Sequence, residues 1–397
     1  MGKNWEEKKL GEITEIITGT TPDTKNNLYW NGKEYWITPA EISNDLSYIN
    51  NTVRKITKLA IKRCSLRSMP KGTVIFSSRA PIGKIAINNI DNLYCNQGFK
   101  NFICSNKIIN KFLCYFLLYK KDNIIDLGKG TTFKEVSKKI VSDIKIKLPS
   151  LQEQKQIVEK LDKAFADIDK LTEIAKQNLE NSKELFNSYL NKLFTENNKY
   201  WEETTLNDIC KIERGASPRP IDKFITNDKD GINWIKIGDV SEKDKYIAKT
   251  KQKITKIGAE KSRFVYIGDL ILSNSMSYGR PYIMKINGCI HDGWFVLRIN
   301  KNLINLDFLY ILLSSFIAQE QYNKLAAGSV VKNISSDLIK KVKIPLPPLQ
   351  QQKQIVKILD NLQEKTKKLE EIYNKKIELA KELKQSVLHK ELQPSKV

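Results

Sequence analysis

Two stretches of the chain place apolar or small residues at steps of three and four, with charged residues between them. The first runs through Val158, Leu161, Phe165, Ile168, Thr172, Ala175, Leu179, Ser182, Phe186, Tyr189 and Leu193. The second runs through Ile355, Leu359, Leu362, Thr366, Leu369, Tyr373, Lys376, Ala380, Leu383 and Val387, with Lys376 its one poor fit. This is the period of an α-helix with a single apolar stripe. Neither stretch holds Gly or Pro after its first turn, and Ser150 with Glu153 makes a capping box behind Pro149. A helix of about 40 residues spans roughly 60 Å at ~1.5 Å per residue, too long to fold back on its own globule. The two stripes are therefore expected to bury each other as an antiparallel coiled coil. Two independent surface helices would instead leave both stripes in water. Ile157, Leu171, Leu185, Ile372 and Leu388 fall beside the seam and predict sticky outer faces.

The segments before these helices have another texture. Short β-type runs (VIFSS, AINNI, LILSN, YIMKI, WFVLRI) alternate with Gly, Pro and Asn breaks and with helical stretches such as INKFLCYFLLYKK and LDFLYILLSSFIAQEQY. Each reads as an α+β domain with loops reaching from a small sheet. The expected boundaries are 1–148 and 198–346 for the domains, and 149–197 and 347–397 for the helices.

The two halves are copies. LPSLQEQKQIVEKLD from Leu148 returns as LPPLQQQKQIVKILD from Leu346, and WEEKKLGEI at Trp5 returns as WEETTLNDI at Trp201. GTVIFSSRAPIGK from Gly72 matches GDLILSNSMSYGR from Gly268, and NQGFKNF matches HDGWFVL. Further matches pair ITGTTP with ERGASP, YWITPAEI with NWIKIGDV, and LGKGTTFKEV with AAGSVVKNI, all at offsets between 195 and 198. Ordered repetition at a fixed offset means a duplicated unit. The copies are expected to be related by a pseudo-twofold axis, with a domain at each end of a helical rod.

Charge adds a partner. Lys and Arg number 67 against 45 Asp and Glu, a net charge of +22. A surplus of that size points to a polyanion, most often nucleic acid. A Lys-rich composition from an AT-rich genome would explain Lys over Arg but not the shortage of acids. No apolar run of about 18 residues exists, and MGKNWEEKKLGEI lacks the apolar core of a signal peptide, so a cytoplasmic protein with no membrane partner is expected. The six cysteines lie far apart without a CxxC pair, as reduced, mostly buried residues would. With only His291 and His389, neither beside a Cys pair, no metal site is expected.

Catalytic motifs are missing. There is no GxGxxG; IGKI at Gly83 lacks the hydroxyl residue after Lys, and GKGTT at Gly128 lacks the P-loop spacing. The Pro347-Pro348 pair is flanked by leucines, unlike the Pro-Pro-aromatic segment of an adenine methyltransferase. Glu153 and Lys155 mimic the end of a nuclease site but lie in the first turn of the long helix, where charges are ordinary.

The double IKLPSLQEQKQIVEKLD and VKIPLPPLQQQKQIVKILD, with the GDLILSNS segment, resembles the specificity subunit of type I restriction–modification systems across essentially the whole chain. The resemblance implies two target recognition domains, each docking in the major groove over half of a split double-stranded DNA target, with the helices fixing the spacer. It implies two methyltransferase subunits carrying S-adenosylmethionine for adenine methylation. Restriction subunits using ATP and Mg would join to cleave unmodified DNA. The chain itself would hold no cofactor and no catalytic residue. The alternatives are a sequence-independent nucleic-acid scaffold with the coiled coil as an oligomerisation device, and a self-contained enzyme.

DNA reading needs polar side chains at base edges and cations or N–H groups on phosphates. Four paired loops supply candidates. Thr20, Thr21 and Lys25 pair with Arg214, Ser217 and Arg219. Ser78, Arg79 and Lys84 pair with Asn274, Ser275, Tyr278 and Arg280. Asn96 and Gln97 pair with His291 and Asp292. Lys129, Thr131, Thr132 and Lys134 pair with Ser329, Lys332 and Asn333. Gly83, Gly279, Gly130 and Gly328 are expected to serve backbone geometry, and Trp36 and Trp234 to be core residues.

Overall fold

The computed structural model describes residues 5–44, 46–128, 134–196, 201–241, 244–274, 279–326 and 335–393. The chain divides into two units, one from residues 1–176 with 375–397, the other from residues 177–374. Both contain the same α+β body and a stretch of each long helix.

In the first unit a five-stranded sheet is ordered Thr14–Ile17, Asn101–Cys104, Val74–Phe76, Ile85–Asn88, Ser47–Ile49. All neighbours are antiparallel except the last pair, which is parallel. Val74–Phe76 and Ile85–Asn88 are buried at every position because both faces are covered, and only Asn88 among them is polar. Val74, Phe76, Ile85 and Ile87 face a core that includes the helix Asn110–Tyr119 together with Ile157, Leu161, Leu388 and Leu392 of the long helices. Ile75 and Ala86 point the other way, into a second core with Ile17, Ile49 and Phe99. A three-stranded sheet (Arg54–Ile56, Trp30–Ile37, Tyr94–Cys95) contributes Ile37 and Cys95 to this second core.

The second unit repeats this plan. Its sheet runs Cys210–Arg214, Trp294–Ile299, Leu270–Ser273, Pro281–Met284, Tyr246–Ile247. Leu270, Leu272, Phe295 and Leu297 face Leu190, Phe194, Ile355 and Leu359 of the long helices, while Ile271, Trp294 and Val296 face the opposite core. Each body is closed by a ribbon in identical register: Glu6–Lys9 pairs antiparallel with Lys145–Leu148, and Glu202–Thr205 with Lys343–Leu346. The duplication read from the sequence is thus a duplication of the main sheet's strand order and of the ribbon's register, while the second sheet has five strands in this unit against three in the first.

The long helices are Leu151–Glu196 and Leu349–Glu391. They pair antiparallel: in the first unit Lys160 approaches Glu391, and Lys384 pairs with Asp169 and lies over the Phe165 ring. The seam differs from expectation at five positions. Ile157 and Leu388, expected on outer faces, are fully buried against the first body. Leu190 is buried where Tyr189 was expected and remains 38% exposed. In the second helix Ile377 takes the place of Lys376, and Leu383 is 48% exposed while Lys384 turns inward. A straight α-helix drifts about 20° per heptad against a seven-residue repeat, so a stripe assigned in strict heptads slips by one residue over several turns. Leu171, Leu185 and Ile372 are exposed, as expected.

Ser150 Oγ accepts from the Glu153 N–H, and the Glu153 carboxylate also accepts from Trp5 Nε1. A second polar residue of the repeated segment does more. Gln154 is completely buried; its Oε1 accepts from Ile109 N–H at 2.9 Å, and its Nε2 donates to the carbonyls of Lys107 (3.0 Å) and Pro149 (2.9 Å). Gln352 does the same in the second copy with Asn305 N–H, Leu303 O and Pro347 O. Each amide joins the start of a long helix to the loop that enters a helix of its body.

Gln154→Leu strands one donor and two acceptors in the interior, at about 1–3 kcal/mol for each unsatisfied group. Gln154→Glu is no rescue, because a carboxylate cannot donate to two carbonyls. Hydrogen exchange should show the Ile109 amide losing at least tenfold protection in Gln154→Leu, with the Asn305 amide unchanged, while Gln154→Glu, which keeps an acceptor for Ile109, should still lower the melting temperature. Equal loss at both amides would mean the two bodies do not hold their helices separately.

Candidate nucleic-acid interface

Sheet ends in each unit gather the loops singled out in the sequence. In the first unit Thr20 N–H donates to Cys95 O, and Thr21 Oγ1 donates to Gln97 Oε1 at 2.6 Å. Ser78 N–H donates to Gly98 O, and Val136 N–H donates to Ser78 O, so residues 20–25, 77–84, 95–98 and 134–136 form one cluster. Thr20, Lys25, Gln97 and Lys134 are exposed on it. Arg79 is half exposed and donates through Nε to Glu135 Oε2 at 2.8 Å.

Two residues expected at the surface are not there. Ser78 is fully buried, and its hydroxyl accepts from Lys100 Nζ, because the strand end turns its side chain inward. Lys84 donates its ammonium to the carbonyls of Pro39 and Ile42, tying down the chain that follows Ile37 rather than presenting a charge. The buried Lys100, which sequence reasoning missed, bridges Ser78 and Glu135. Burial raises the pKa of the Glu135 carboxyl, but hydrogen bonds from Lys100 and Arg79 outweigh it and leave Glu135 below its ordinary value. A lysine between Gly98 and Asn101 carries no sequence signal of burial; only its ion pair explains its place.

The second unit is organised by Asp292. Ser217 Oγ donates to Asp292 Oδ1 at 2.8 Å, Arg219 reaches Oδ2 at 3.4 Å, and the Nε of Arg214 and Nδ2 of Asn274 approach the Asp292 carbonyl at 3.1 and 3.5 Å. The Ser217–Asp292 bond is the counterpart of Thr21–Gln97: hydroxyl to side-chain oxygen, across the same two loops. Arg214 and Arg219 are exposed, Arg280 is half-buried, and Asn274 is buried. Burial pushes the Asp292 carboxyl up, but the Ser217 hydroxyl, a backbone N–H and His291 prevail and hold it below its ordinary value. His291 is pushed down by burial in spite of Asp292 beside it. Its Nδ1 lies 2.8 Å from Gly293 N and its Nε2 3.2 Å from Ile237 N; a neutral ring accepts at one of these at a time.

Lys129, Thr131, Thr132, Ser275, Tyr278, Ser329, Lys332 and Asn333, with Gly130 and Gly328, lie outside the described residues. Gly83 and Gly279 have φ of +89° and +78°, which accounts for glycine in both turns. Trp36 and Trp234 are core residues, 1% and 2% exposed. Among the described residues no group of His, Cys, Asp and Glu is placed to hold a metal, and no helix is long and apolar enough to cross a membrane. Cys95, Cys114, Cys210 and Cys289 are buried, and burial raises the thiol of Cys95 to about 12.

The profile of the family described as type I restriction modification DNA specificity domain matches residues 2–181 and, a second time, residues 198–379. The chain belongs to this family. The MjaIX type I restriction enzyme specificity subunit of Methanocaldococcus jannaschii is 34% identical over 247 residues, covering 57% of this chain and 56% of that one. The chain thus spans little more than half of that relative's length in the match. The MjaVIII specificity subunit of the same organism is 29% identical over 312 residues, covering 67% and 68%. Two solved structures share the fold at 21% identity. The HsdS subunit of Thermoanaerobacter tengcongensis has a TM-score of 0.67 over 98% of this chain and 96% of its own. A chain from a study of complex assembly and conformational transition in a type I R-M system has a TM-score of 0.74 over 98% of both. Both loop clusters share one construction: exposed side chains, among them Lys25, Lys134, Arg214 and Arg219, stand on a frame of buried or half-buried polar bonds.

The Asp292 carboxyl should titrate with a midpoint below the ordinary 3.8 in carboxyl carbon NMR. A depressed acid stabilises the fold fully above its unfolded value and loses that contribution as pH falls through the folded one. The contribution of Asp292 should therefore be constant above about pH 5 and fall only near or below about pH 4, while His291, whose folded value lies below its ordinary one, weakens the cluster as pH falls below about 6.5. Asp292→Ala should raise amide exchange across residues 214–219 at pH 7 without touching residues 20–25.

Proposed function

We propose that this chain is the DNA-reading subunit of a type I restriction–modification complex, with one domain for each half of a split double-stranded target. Residues 1–148 and 198–346 are the two target recognition domains, and residues 149–197 and 347–397 are the helices that set the unread gap between half-targets. The observation that carries this reading is the repeated loop cluster: the same scaffold, with the same Thr21–Gln97 and Ser217–Asp292 bond, displays different exposed side chains in each copy. A duplicated frame with unlike contents suits an asymmetric two-part sequence better than a uniform polyanion. The net charge of +22 supplies the phosphate attraction that any DNA reader needs.

On this reading Thr20, Thr21, Lys25, Arg79 and Lys134 face one half-target, and Arg214, Ser217, Arg219 and Arg280 face the other. The candidates at 129, 131, 132, 275, 278, 329, 332 and 333 stay in this reading on the sequence repeat alone. Ser78, Lys84 and Asn274 support them from below. Two methyltransferase subunits, bringing S-adenosylmethionine, dock on the helices, and their exposed Leu171, Leu185 and Ile372 offer apolar contacts. Restriction subunits bring ATP and Mg. The assembly acts on cytoplasmic DNA, and no step of the chemistry falls to this chain.

With its methyltransferase partner on randomised duplexes, the chain should select a two-part motif with a fixed gap. Replacing residues 1–148 by the matching segment of a relative should change one half of the motif and leave the other half and the gap alone. A continuous motif, or salt-dependent binding without any motif, would overturn the proposal.

A further inference from the structure

In the first unit Arg54 stands directly across the small sheet from Trp36. Its guanidinium carbon lies 3.7 Å from the centre of the Trp30 ring and 5.3 Å from that of Trp36. The two indoles meet edge to face at 5.0 Å, so Arg54 rests on a rigid aromatic floor. That floor is fastened to the loop cluster: Trp30 Nε1 donates to Asp23 O at 3.0 Å, and Trp36 Nε1 to Thr20 O at 3.4 Å. Arg54 is exposed, and among the described residues no carboxylate lies within ion-pair distance of it. Stacking occupies the face of a guanidinium and leaves its N–H edge for acceptors. Most exposed basic residues on this surface are lysines, whose flexible ammonium suits a phosphate; this is a planar fork held in one orientation.

The duplication offers a comparison within the chain. Gln252 stands across from Trp234 in the second unit as Arg54 does from Trp36. Its Oε1 accepts from Lys236 Nζ at 2.6 Å, which fixes the amide while leaving Nε2 to donate and a lone pair on Oε1 to accept. The Trp234 ring in turn adjoins His291 of the Asp292 cluster, 6.2 Å between centres. The two halves therefore hold, at one register position and against one buried tryptophan, the two side chains that pair bidentately with different purines: arginine with guanine, glutamine with adenine.

We infer that the residue opposite the buried tryptophan is a specificity position in each unit, Arg54 reading a G·C pair in one half-target and Gln252 an A·T pair in the other. This rests on the DNA-reading function proposed above. Both side chains are pre-oriented by neighbours that the sequence provides only there, Trp30 under Arg54 and Lys236 beside Gln252. Neither was among the loop residues chosen from the sequence, because both sit on short strands rather than in the variable loops.

The test is selection from randomised duplexes by the full chain with its methyltransferase partner, for wild type, Arg54→Lys, Arg54→Met and Arg54→Gln. Methionine keeps an apolar stem over Trp30, and near-ultraviolet circular dichroism checks that the indoles stay packed. Arg54→Lys and Arg54→Met should each lose about 5- to 100-fold preference at a single G·C pair in one half-target, with the other half and the gap unchanged. Arg54→Gln should move that position toward A·T. If every variant keeps the wild-type motif, or binds all sequences more weakly by one factor with a shallower salt dependence, Arg54 is a packing or phosphate residue and the inference fails. A wild type that selects no two-part motif would instead defeat the function on which the inference rests.

Discussion

A long helix can be attached to a compact body in many orientations, and apolar packing alone tolerates most of them. What singles one out is a pair of buried amides. Gln154 and Gln352 each satisfy three backbone groups, two of them in the loop that enters the body's own helix. An amide has a donor end and an acceptor end, so its pattern cannot be met in a slipped register or a rotated helix without leaving buried groups unpaired. Apolar contacts such as Ile157 and Leu161 with the sheet supply most of the binding, while the amide decides where they fall. The identical register of the two closing ribbons and the buried stripe of each helix follow from that fixed start.

The same division of labour governs the loop clusters. Their interiors are built from polar bonds that carry no sequence information: Lys100 to Ser78 and Glu135, Ser217 to Asp292, Lys84 to two carbonyls. An acid at the middle of a basic surface looks misplaced until its neighbours are counted. Asp292 gathers Ser217 and Arg219 on its carboxylate, and its depressed pKa keeps it ionised to do so at neutral pH. Exposed guanidinium and ammonium groups then stand on a frame fixed by its own polar bonds.

Much of this was legible in the sequence. The duplication, the α+β bodies, the long helices and the paired loops all follow from periodicity and repeats, because burial imposes period on a sequence. What escaped reading was polar burial. Gln154 looks like one more polar residue in a charged first turn, and Ser78, Asn274 and Lys100 look like surface. Hydrophobic pattern cannot announce a buried polar group, whose place is set by partners dozens of positions away. Arg54 escaped for a related reason: its neighbours Trp30 and Trp36 are separated from it by a strand crossing that only the register reveals. The misplacement of Lys376 and Leu383 in the seam arose differently, from imposing seven-residue arithmetic on a helix that turns every 3.6 residues.

The path of the chain through the two units sets an order of events during synthesis. All of residues 177–374 belong to one unit, so it can close as soon as that stretch has left the ribosome. The other unit is assembled from both ends of the chain, and its core includes Leu388 and Leu392. The half that is translated first is thus the half that is finished last. Until the final turns of the second long helix arrive, the core that Ile157 and Leu161 share with the first body lacks Leu388 and Leu392, and that part of it stays unfilled while the second body is being made.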